Sequence, residues 1–523
     1  MSEEIHEECG IAAISLPIAP LNVRESAASL LYRLLLHQQN RGQLSAGITT
    51  FNPNNPKRLD TFRDIGSVSQ AFKGYDEFNH RKLLERLNGQ RGIGHVRYAT
   101  FGSDNKSYAQ PFEHKHGKKW KWFSFSFNGN IANYWDLRKQ LEAKQYHFIL
   151  ESDTEVLMHY LSFGSRGDER APLERVFTEL ATDVDGAYSL AYLNAHGELA
   201  SIRDPLGFKP LNIAEKDGVV AVASETSALE SLGFENPEPI KPGSMVLITE
   251  SGHVETKPFA NSKQKSHCMF EWVYFSKAAS AIENKSVYQA RYSLGMELAK
   301  SEPLEWNAET IVVPVPDSSK PAADGYAFQM GLPVKEGLIR NMFAGRTFIE
   351  SKNRLEKVQN KFALNKKVIE GKKVVLVEDS IVRGTTAMAL VRYLKEKGKA
   401  VEVHLRSSCP PIFFPCFYGI DMSTLQELIA ARNRKQAEFG EIPLTPEEEQ
   451  RIAEEIGADS VHYQSMEGLV KAIGLPKNEL CLGCLTGRYP TPKANELIQV
   501  TAKQPGNGIR IYEQVHNPKE YNQ

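Results

Sequence analysis

The sequence lacks long hydrophobic runs, an excess of charge of either sign and a secretory leader. No apolar run approaches the roughly 18 residues that a membrane-spanning helix needs, so we expect no membrane partner. A formal net charge of -1 gives no electrostatic reason to expect a nucleic-acid partner. The acidic N-terminal stretch has neither the basic nor the apolar region of a signal peptide, and we therefore expect a cytoplasmic protein.

Cysteine is scarce as well, because 523 residues include only six of them. In a reducing compartment, such cysteines are more often catalytic, metal-binding or reduced than disulfide-bonded. The rest of the composition is ordinary for a globular protein, with 41% hydrophobic and 24% charged residues. At roughly 100–200 residues per domain, the length predicts two to four domains.

The pattern of predicted secondary structure differs between the two halves of the chain. In the first half, short predicted strands and turns are interrupted by two helical stretches, 26–38 and 154–163, which favours a layered α+β domain. In the second half, apolar strands alternate with helices, as in a parallel α/β sheet. We place the boundary in the polar stretch 257–267. We interpret 425–456 as a charged surface insertion and expect an irregular extension after Tyr489.

An acidic pair ends the predicted strand 373–377 in the second half. Glu378 and Asp379 follow that strand, and a Gly-Thr-Thr turn opens the next predicted helix. Ligands bind at the carboxyl ends of strands in open α/β sheets, and a helix N-terminus offers N–H donors to phosphate. Paired carboxylates can hold sugar hydroxyls or hydrated Mg²⁺. The alternative is a Rossmann-type strand whose acids only cap the helix. Segment 373–387 resembles the phosphoribosyl pyrophosphate (PRPP) motif of type I phosphoribosyltransferases.

Two further segments extend this resemblance. Segment 311–320 is a second predicted strand with a polar loop that could meet a pyrophosphate–Mg²⁺ unit, although alone it is equally a plain strand and turn. Segment 345–349 is by itself a solvated loop, and by resemblance it is the lid that closes over the substrate. The resemblance implies PRPP contacts from Ser318, Ser319, Arg346, Glu378, Asp379, Ser380, Arg383, Gly384, Thr385 and Thr386, and Mg²⁺ ligands from Ser318, Glu378 and Asp379.

A second set of motifs begins at Cys9, which precedes an apolar strand. Alone, this cysteine would be a small buried hydrophobe. Segments 41–48, 94–100, 127–133 and 151–155 change that interpretation, because their order and spacing resemble class II, N-terminal-nucleophile glutamine amidotransferases. The resemblance implies a catalytic set of Cys9, Asn128 and Gly129, and a glutamine-binding set of Arg97, Thr100 and Asp153.

The chemistry of amide hydrolysis accounts for these residue types. It needs a nucleophile, a base and an oxyanion hole. By resemblance, Cys9 is the nucleophile, while the Asn128 side chain and the Gly129 N–H hold the oxyanion. Arg97 pairs with the substrate α-carboxylate and Asp153 holds its α-ammonium, with Thr100 assisting. Removal of a propeptide, residues 1–8, would free the α-amine of Cys9, and its reference pKa of about 8 suits a base.

Four more cysteines lie in the second half. Cys481 and Cys484 form a C-x-x-C, which could be redox-active, zinc-binding or incidental. With Cys268 and Cys416 they would make a Cys₄ set, which suits zinc or an iron–sulfur cluster, and spacing favours neither. The flanking residues resemble the ligands of amidophosphoribosyltransferases that carry a [4Fe–4S] cluster, and only this resemblance selects iron. Cys409 matches a non-ligand position, and four unligated buried cysteines are the alternative.

Joined, the two halves resemble the amidophosphoribosyltransferase family over about residues 9–490. The resemblance implies an α+β N-terminal-nucleophile (Ntn) hydrolase-type αββα sandwich at 9–260, then an α/β type I phosphoribosyltransferase domain at 268–475 and a C-terminal segment at 476–523. It implies synthesis of 5-phosphoribosylamine, glutamate and pyrophosphate from glutamine and PRPP, the first committed step of de novo purine synthesis. It also implies Mg²⁺ and a [4Fe–4S] cluster, inhibition by purine nucleotides and a homo-tetramer.

Four positions depart from the family pattern. Asn40 and Phe127 stand where histidine is usual, Leu44 replaces an acidic residue and Lys209 replaces arginine. They leave open a divergent paralogue that senses PRPP or nucleotides without turnover, or that uses another acceptor. A sugar-phosphate aminotransferase of the sugar-isomerase kind is a further alternative, but it gives no reason for segment 378–386.

Overall fold

The computed structural model describes residues 9–17, 26–98, 105–341, 354–422, 424–434 and 439–503. The elements of the first half are, in chain order, β1 Gly10–Ser15, α1 Ala27–His37, β2 Ser45–Phe51, β3 Leu59–Ile65, α2 Val68–Ala71, α3 Glu77–Arg86, β4 Arg91–Arg97, β5 Phe112–His114, β6 Phe123–Ile131, α4 Tyr134–Ala143, α5 Asp153–Gly164, α6 Leu173–Asp183, β7 Gly186–Asn194, β8 Leu199–Arg203, β9 Asn212–Lys216, β10 Val219–Ala223, α7 Thr226–Ser231, β11 Glu238–Pro239, β12 Ser244–Ile248 and β13 Val254–Pro258.

The elements of the second half follow in the same order: β14 His267–Cys268, β15 Ala281–Ile282, β16 Lys285–Ser286, α8 Val287–Lys300, β17 Thr310–Pro314, α9 Lys320–Met330, β18 Leu338–Arg340, α10 Arg354–Lys361, β19 Phe362–Leu364, α11 Lys366–Ile369, β20 Lys373–Glu378, α12 Thr385–Glu396, β21 Glu402–Ser407, α13 Ile429–Arg432, α14 Pro446–Ile456, β22 Ser460–Tyr463, α15 Met466–Ile473, β23 Leu480–Cys481, α16 Gly483–Thr486 and α17 Pro492–Lys503.

Two antiparallel sheets stack face to face in the first half. Their strand orders are β11-β9-β10-β1-β4-β2-β3 and β13-β12-β8-β7-β6-β5. Side chains alternate between the faces of β1, so Ile11 and Ala13 pack against the second sheet, while Ala12 and Ile14 pack under α1. Helices α4, α5 and α6 cover the outer face of the second sheet. This αββα sandwich confirms the predicted fold class.

The first half contains more helix than the sequence interpretation predicted. Besides α1 and α5, which were expected, the described residues include α4 and α6. Helix α6 carries a recognisable signal, because it buries Leu173, Val176, Phe177 and Leu180 on one face at helical spacing.

A parallel sheet of order β17-β20-β21-β22 forms the centre of the second half, as the alternating pattern predicted. Helix α9 packs on one face, where Tyr326 meets Val375, and α12 packs on the other, where Leu390 meets Leu376. Because β17 and β20 are parallel neighbours, the loops that follow them emerge at the same edge of the sheet. That edge is where the predicted PRPP residues lie.

Two predictions about the second half were wrong. Segment 425–456 is not a surface insertion, since Ile429 is fully buried and α14 places Ile452 in the core beside the sheet. The chain after Tyr489 is not irregular over its described part, because α17 buries Leu497 and Ile498. Among the described residues, no helix is long and apolar enough to cross a membrane.

The two halves share part of their core. One hydrophobic cluster joins Ala132, Ala187 and Phe208 of the first half to Phe417, Tyr418 and residues of α17. The short pair β14–β23 also fastens the start of the second half to its C-terminal part. The first half therefore packs directly against the loop that follows β21.

Candidate functional site

The predicted glutamine residues meet in one small cavity at the end of β1. Its lining includes Cys9, Arg97, Gly129 and Asp153. These come from four separate elements, since Cys9 precedes β1, Arg97 ends β4, Gly129 lies on β6 and Asp153 opens α5. The structure therefore brings Cys9, Arg97, Gly129 and Asp153 together. Asn128 is not part of the lining, although its neighbour Gly129 is, and Thr100 lies outside the described residues.

The nucleophile candidate is a protonated thiol in this environment. Burial raises the pKa of Cys9 above its ordinary value, and Asp153 adds to that rise, while Tyr98 and Arg97 oppose it. The Cys9 Sγ–H points to the Tyr98 carbonyl at 3.7 Å, and the thiol also contacts its own backbone N–H. That nitrogen is the one that removal of residues 1–8 would convert into an α-amine, within reach of the thiol.

The oxyanion residues lie in a strand with little freedom. Asn128 is 1% exposed, and its side-chain Nδ2 has no hydrogen-bond partner among the described residues. Such a buried orphan donor is costly and calls for an explanation, and a preorganised oxyanion donor is one. At Gly129, a Cβ would lie 1.9 Å from the Ala187 carbonyl oxygen, so no side chain fits there.

The charge of Asp153 depends on the cavity. Loss of solvent raises the pKa of this carboxyl to about 6, although hydrogen bonds from Thr154 and the attraction of Arg97 oppose the shift. Ser152 caps α5 by accepting from the Glu155 N–H, which fixes the direction of the first turn. Arg97 and Asp153 thus present opposite charges to the same cavity.

His95 is a site residue whose role the sequence did not reveal. It is fully buried on β4, and its Nε2 lies 3.1 Å from the Phe127 carbonyl oxygen, so that nitrogen carries the proton. Burial lowers the pKa of His95 to about 3, which keeps the ring neutral. The Phe127 N–H donates to Gln110. Both main-chain groups of Phe127 are therefore fixed by hydrogen bonds. Although Phe127 stands where the family usually has histidine, the strand that carries the oxyanion residues is held in place.

The departure at Asn40 lies at a junction of the two halves. Asn40 Nδ2 is placed to donate to Glu225 at 3.0 Å and to the Phe275 carbonyl at 3.2 Å. Next to it, Arg41 forms fully buried ion pairs with Glu225 at 2.7 Å and Glu271 at 2.6 Å. Burial alone would lower the pKa of Arg41, but the two carboxylates outweigh burial and raise it.

The second candidate site lies at the carboxyl edge of the parallel sheet. Ser318 Oγ donates to Asp379 Oδ2 at 2.5 Å, and Ser380 Oγ donates to Oδ1 at 2.8 Å. The hydrogen bond from Ser318 joins the loop after β17 to the acid pair at the end of β20, the two segments to which the sequence assigned PRPP residues. Burial raises the pKa of Asp379, and the two serines and Arg291 oppose the rise. Glu378, beside it, is 7% exposed.

The Gly-Thr-Thr turn opens α12 at the same edge. Gly384 has a left-handed φ of 79°, and a Cβ there would lie 2.4 Å from Ile429 Cδ1, so the position requires glycine. Helix α12 begins at Thr385, and its first N–H groups, with the Thr386 hydroxyl, form the kind of end that binds phosphate.

Three further residues were predicted to contact PRPP, and the structure describes two of them. Arg383 is held by Glu427 through its Nε at 2.6 Å and by the Asp421 carbonyl, so it links this edge to the following segment. Ser319 is fully buried at the start of α9. Arg346 lies outside the described residues.

The cysteines of the second half are neighbours. Cys268 pairs with Cys481 across β14–β23, and electrostatic interactions connect Cys484 to Cys268, Cys416, Cys481 and Cys409. All six cysteines are free thiols, and burial is the main cause that raises the pKa of these five above the ordinary value.

These thiols are chemically suitable metal ligands, but their arrangement in the structure is not that of a metal site. Among the described residues, no three His, Cys, Asp or Glu side chains are arranged closely enough to hold a metal ion. A buried Cys₄ set is nevertheless a suitable donor set for iron–sulfur or zinc. The buried Lys209 lowers the pKa of Cys268, Cys416 and Cys481, so this departure retains a positive charge beside them.

Comparison with known proteins finds relatives of both halves and of the whole chain. Residues 95–231 match the family model of a glutamine amidotransferase domain, and residues 283–409 match that of a phosphoribosyl transferase domain. The chain is 40% identical over 503 residues to the amidophosphoribosyltransferase of Methanothermobacter thermautotrophicus, covering 95% of this chain and 98% of that protein. It is 35% identical to the amidophosphoribosyltransferase of Bacillus subtilis, covering 93% and 95%.

The fold agrees with this similarity. The solved structure of glutamine PRPP amidotransferase from B. subtilis, complexed with ADP and GMP, superimposes with a TM-score of 0.79 at 35% identity. The match covers 93% of this chain and 98% of that one. A second solved structure, of the allosteric regulatory enzyme of purine biosynthesis, also gives a TM-score of 0.79.

Proposed function

The chain belongs to the amidophosphoribosyltransferase family, and we propose that its two sites act in series, the first releasing ammonia from glutamine and the second adding it to PRPP. The products are 5-phosphoribosylamine, glutamate and pyrophosphate, as in the first committed step of purine synthesis. One observation carries this assignment. The same chain contains both the cavity lined by Cys9 and Asp153 and, at the carboxyl edge of the parallel sheet, the hydrogen-bonded pair Ser318 and Asp379.

In the glutamine site, each residue has a distinct role in the proposal. Arg97 binds the α-carboxylate of glutamine and Asp153 binds its α-ammonium group. These two contacts place the side-chain amide of the substrate over Cys9. The Cys9 thiolate attacks the amide carbon, and Asn128 and Gly129 receive the negative charge that develops on the oxygen. Ammonia leaves, and water then hydrolyses the glutamyl thioester.

The base in this proposal is the α-amine of Cys9 itself. Because the pKa of the thiol is raised by burial, an internal base must take its proton, and Cys9's own nitrogen is in contact with the thiol. This role requires removal of residues 1–8. Mass spectrometry of active protein should show a chain that starts at Cys9, and full activity in a chain that retains Glu8 would contradict the role.

In the PRPP site, the chain supplies a cradle for the phosphates and the ribose. The N–H groups at Thr385 and Thr386 would bind the 5-phosphate, and Glu378 and Asp379 would hold the ribose hydroxyls. Ser318 and the two acids would hold Mg²⁺, which neutralises the pyrophosphate leaving group. Arg346 would close over the site as part of the lid.

A [4Fe–4S] cluster on Cys268, Cys416, Cys481 and Cys484 is also part of the proposal, with a structural role. It is supported by the burial of these thiols, by the pairing of Cys268 with Cys481 across β14–β23 and by the resemblance of their flanking residues. Anaerobically purified protein should contain about four irons and four sulfides per chain. Cys481→Ser should lose them and Cys409→Ser should keep them, whereas one zinc per chain in a colourless, active protein would contradict the assignment.

The proposal extends to partners and location. Because the B. subtilis structure contains ADP and GMP, purine nucleotides are the inhibitors we expect for this chain, acting on a homo-tetramer. Six free thiols suit a reducing compartment, in keeping with a cytoplasmic location. Cell fractionation, sedimentation and inhibition assays test these three points.

The experiment that tests the reaction follows the amide nitrogen. With glutamine labelled with ¹⁵N in the amide, glutamate and pyrophosphate should appear in equal amounts when PRPP is present, and the label should be on the ribosylamine. A sensor without turnover would bind PRPP but release neither product. An enzyme with another acceptor would form glutamate without pyrophosphate.

A further inference from the structure

A loop of the C-terminal half, residues 416–419, packs directly against the oxyanion strand of the glutamine site. Asn130 Nδ2–H, next to Gly129, donates to the Phe417 carbonyl at 2.8 Å. A Cβ on Gly419 would lie 3.4 Å from both the carbonyl carbon and the oxygen of Gly129. A side chain at position 419 would therefore reach the peptide between Gly129 and Asn130, so this loop of the other half runs close to that peptide.

The loop is rigid enough to serve as a support. Phe417 and Tyr418 are 2% and 3% exposed. The Tyr418 ring stacks on Phe208 with centroids 4.2 Å apart, and its hydroxyl lies 2.8 Å from that of Thr491. At the start of the loop, the Tyr418 N–H lies 3.3 Å from the Cys416 Sγ, which accepts from it.

The backbone conformation at position 419 favours glycine. Its φ of 108° lies in the left-handed region, which residues with a side chain rarely adopt. Asn130 itself is not among the residues that line the glutamine cavity. Its side-chain N–H instead donates to a carbonyl that lies 287 residues away in the chain.

We propose that Asn130 is a positioning residue of the glutamine half-reaction, which holds the Asn128–Gly129 peptide in its oxyanion-binding position by anchoring it to the Phe417 carbonyl. This inference rests on the proposed function, because it assumes the oxyanion role of Asn128 and Gly129. It makes the loop of the C-terminal half part of the machinery that sets the rate in the other half.

The test uses Asn130→Asp, which keeps the size of the side chain but replaces the N–H donor with an acceptor, and Asn130→Ala, which removes it. A shift of about 1 Å in catalytic groups can cost about 100-fold, so we expect kcat with glutamine to fall about 10- to 100-fold. The KM for glutamine should stay within about twofold because Arg97 and Asp153 keep their places. Synthesis with free ammonia should be unchanged.

A second measurement separates positioning from a general loss of structure. Glutamate γ-semialdehyde adds to the Cys9 thiol and places its oxygen in the oxyanion position, whereas glutamate binds without forming that adduct. In both variants the Ki for the aldehyde should rise by the same factor by which kcat falls, and the Ki for glutamate should not change. The matched control is Asn133→Ala, since Asn133 donates to the Asp183 carbonyl within its own half.

The outcomes distinguish this inference from the proposed function. Wild-type kcat in Asn130→Asp would overturn the inference, as would an equal loss of the glutamine and ammonia activities. If Cys9→Ala abolished glutamine use in the same experiment, the proposed function would stand. If Cys9→Ala and Asn128→Ala both kept glutamine-dependent activity, the proposed function would fail first. Should neither Asn130 variant fold, Gly419→Ala must show the selective loss of kcat, and its absence would overturn the inference.

Discussion

Single residues of the glutamine site are controlled by how little water reaches them. Burial keeps His95 neutral, raises the pKa of the Cys9 thiol and raises that of Asp153 to about 6. The neutral imidazole can therefore position the Phe127 carbonyl but cannot supply a charge. In this environment the substrate's own charged groups determine how well it binds.

Glutamine binding should therefore depend on pH through Asp153. Its pKa of about 6 in the folded protein lies above the ordinary 3.8, so the carboxylate is present above pH 6 and is lost as the pH falls through that value. A protonated Asp153 cannot pair with the α-ammonium. In Cys9→Ala, which binds without turnover, calorimetry should show the glutamine Kd rising up to about tenfold per pH unit below 6.

Asp153→Asn is the control for this prediction. It should bind glutamine weakly at every pH between 5 and 8, with no inflection near 6. An affinity in the Asp153-containing protein that does not change over that range would show that this carboxyl does not hold the ammonium.

At the scale of helices and strands, the sequence predicted the parts with a clear period or motif. The strand 373–377 and the acids that follow it were placed correctly, because a buried apolar run followed by acids has few alternatives. The hydrogen bond between Ser318 and Asp379 fits the two motifs, but its partners are 61 positions apart and the sequence does not fix the distance.

The sequence could not predict contacts that depend on a distant partner. Ile429 looked like part of a charged insertion, yet it packs against Gly384 and limits that position to glycine. Arg383 was assigned to PRPP binding from the motif, and its hydrogen bond to Glu427 could not be foreseen from it. In both cases the decisive neighbour lies more than 40 positions away, beyond any local pattern.

The packing of α8 on α9 gives a prediction at this scale. A Cβ on Gly295 would lie 1.8 Å from the Ala322 carbonyl oxygen, so the two helix backbones touch there. In an exposed helix, Gly→Ala stabilises by up to about 1 kcal/mol. Here overpacking should reverse the sign, and Gly295→Ala should destabilise the protein by at least about 1–3 kcal/mol in urea unfolding.

Gly117→Ala is the comparison, because a Cβ there meets nothing within 4 Å. It should leave the unfolding midpoint unchanged. A Gly295→Ala variant that is as stable as Gly117→Ala would mean that the two helices can separate at no cost.

At the scale of the whole molecule, the halves are held together by a buried ion-pair network. Arg41 of the first half binds Glu271 of the second, and Ser276 accepts a further hydrogen bond from it at 2.9 Å. Arg291 donates to the carbonyls of Trp272 and Ser276, so the same segment is fixed from both sides.

Removal of Arg41 should therefore loosen the junction. Arg41→Met leaves two buried carboxylates without their cation, which typically costs about 3–5 kcal/mol in the free energy of unfolding. Burial raises the pKa of Glu271, but Arg41, with help from Lys209 and Ser276, lowers it below its ordinary 4.5 in the folded protein. The contribution of Arg41 is therefore present at neutral pH and is lost as the pH falls through the folded value. The deficit of the variant should thus be large at pH 8 and smaller at pH 3, which lies below the ordinary pKa of this carboxyl.

The control is Arg81→Met, because the exposed pair of Arg81 with Glu77 contributes little. Urea unfolding at the two pH values provides the measurement. Equal stability of Arg41→Met and Arg81→Met at pH 8 would show that the network does not hold the halves together.

The most direct test compares two activities of Cys9→Ala, because the two proposed half-reactions take place at separate sites. With glutamine and PRPP, this variant should form neither glutamate nor 5-phosphoribosylamine. With free ammonia and PRPP, it should form 5-phosphoribosylamine and pyrophosphate at the wild-type rate. Glutamine-dependent synthesis that survives the substitution, or ammonia-dependent synthesis that disappears from a folded variant, would contradict the account.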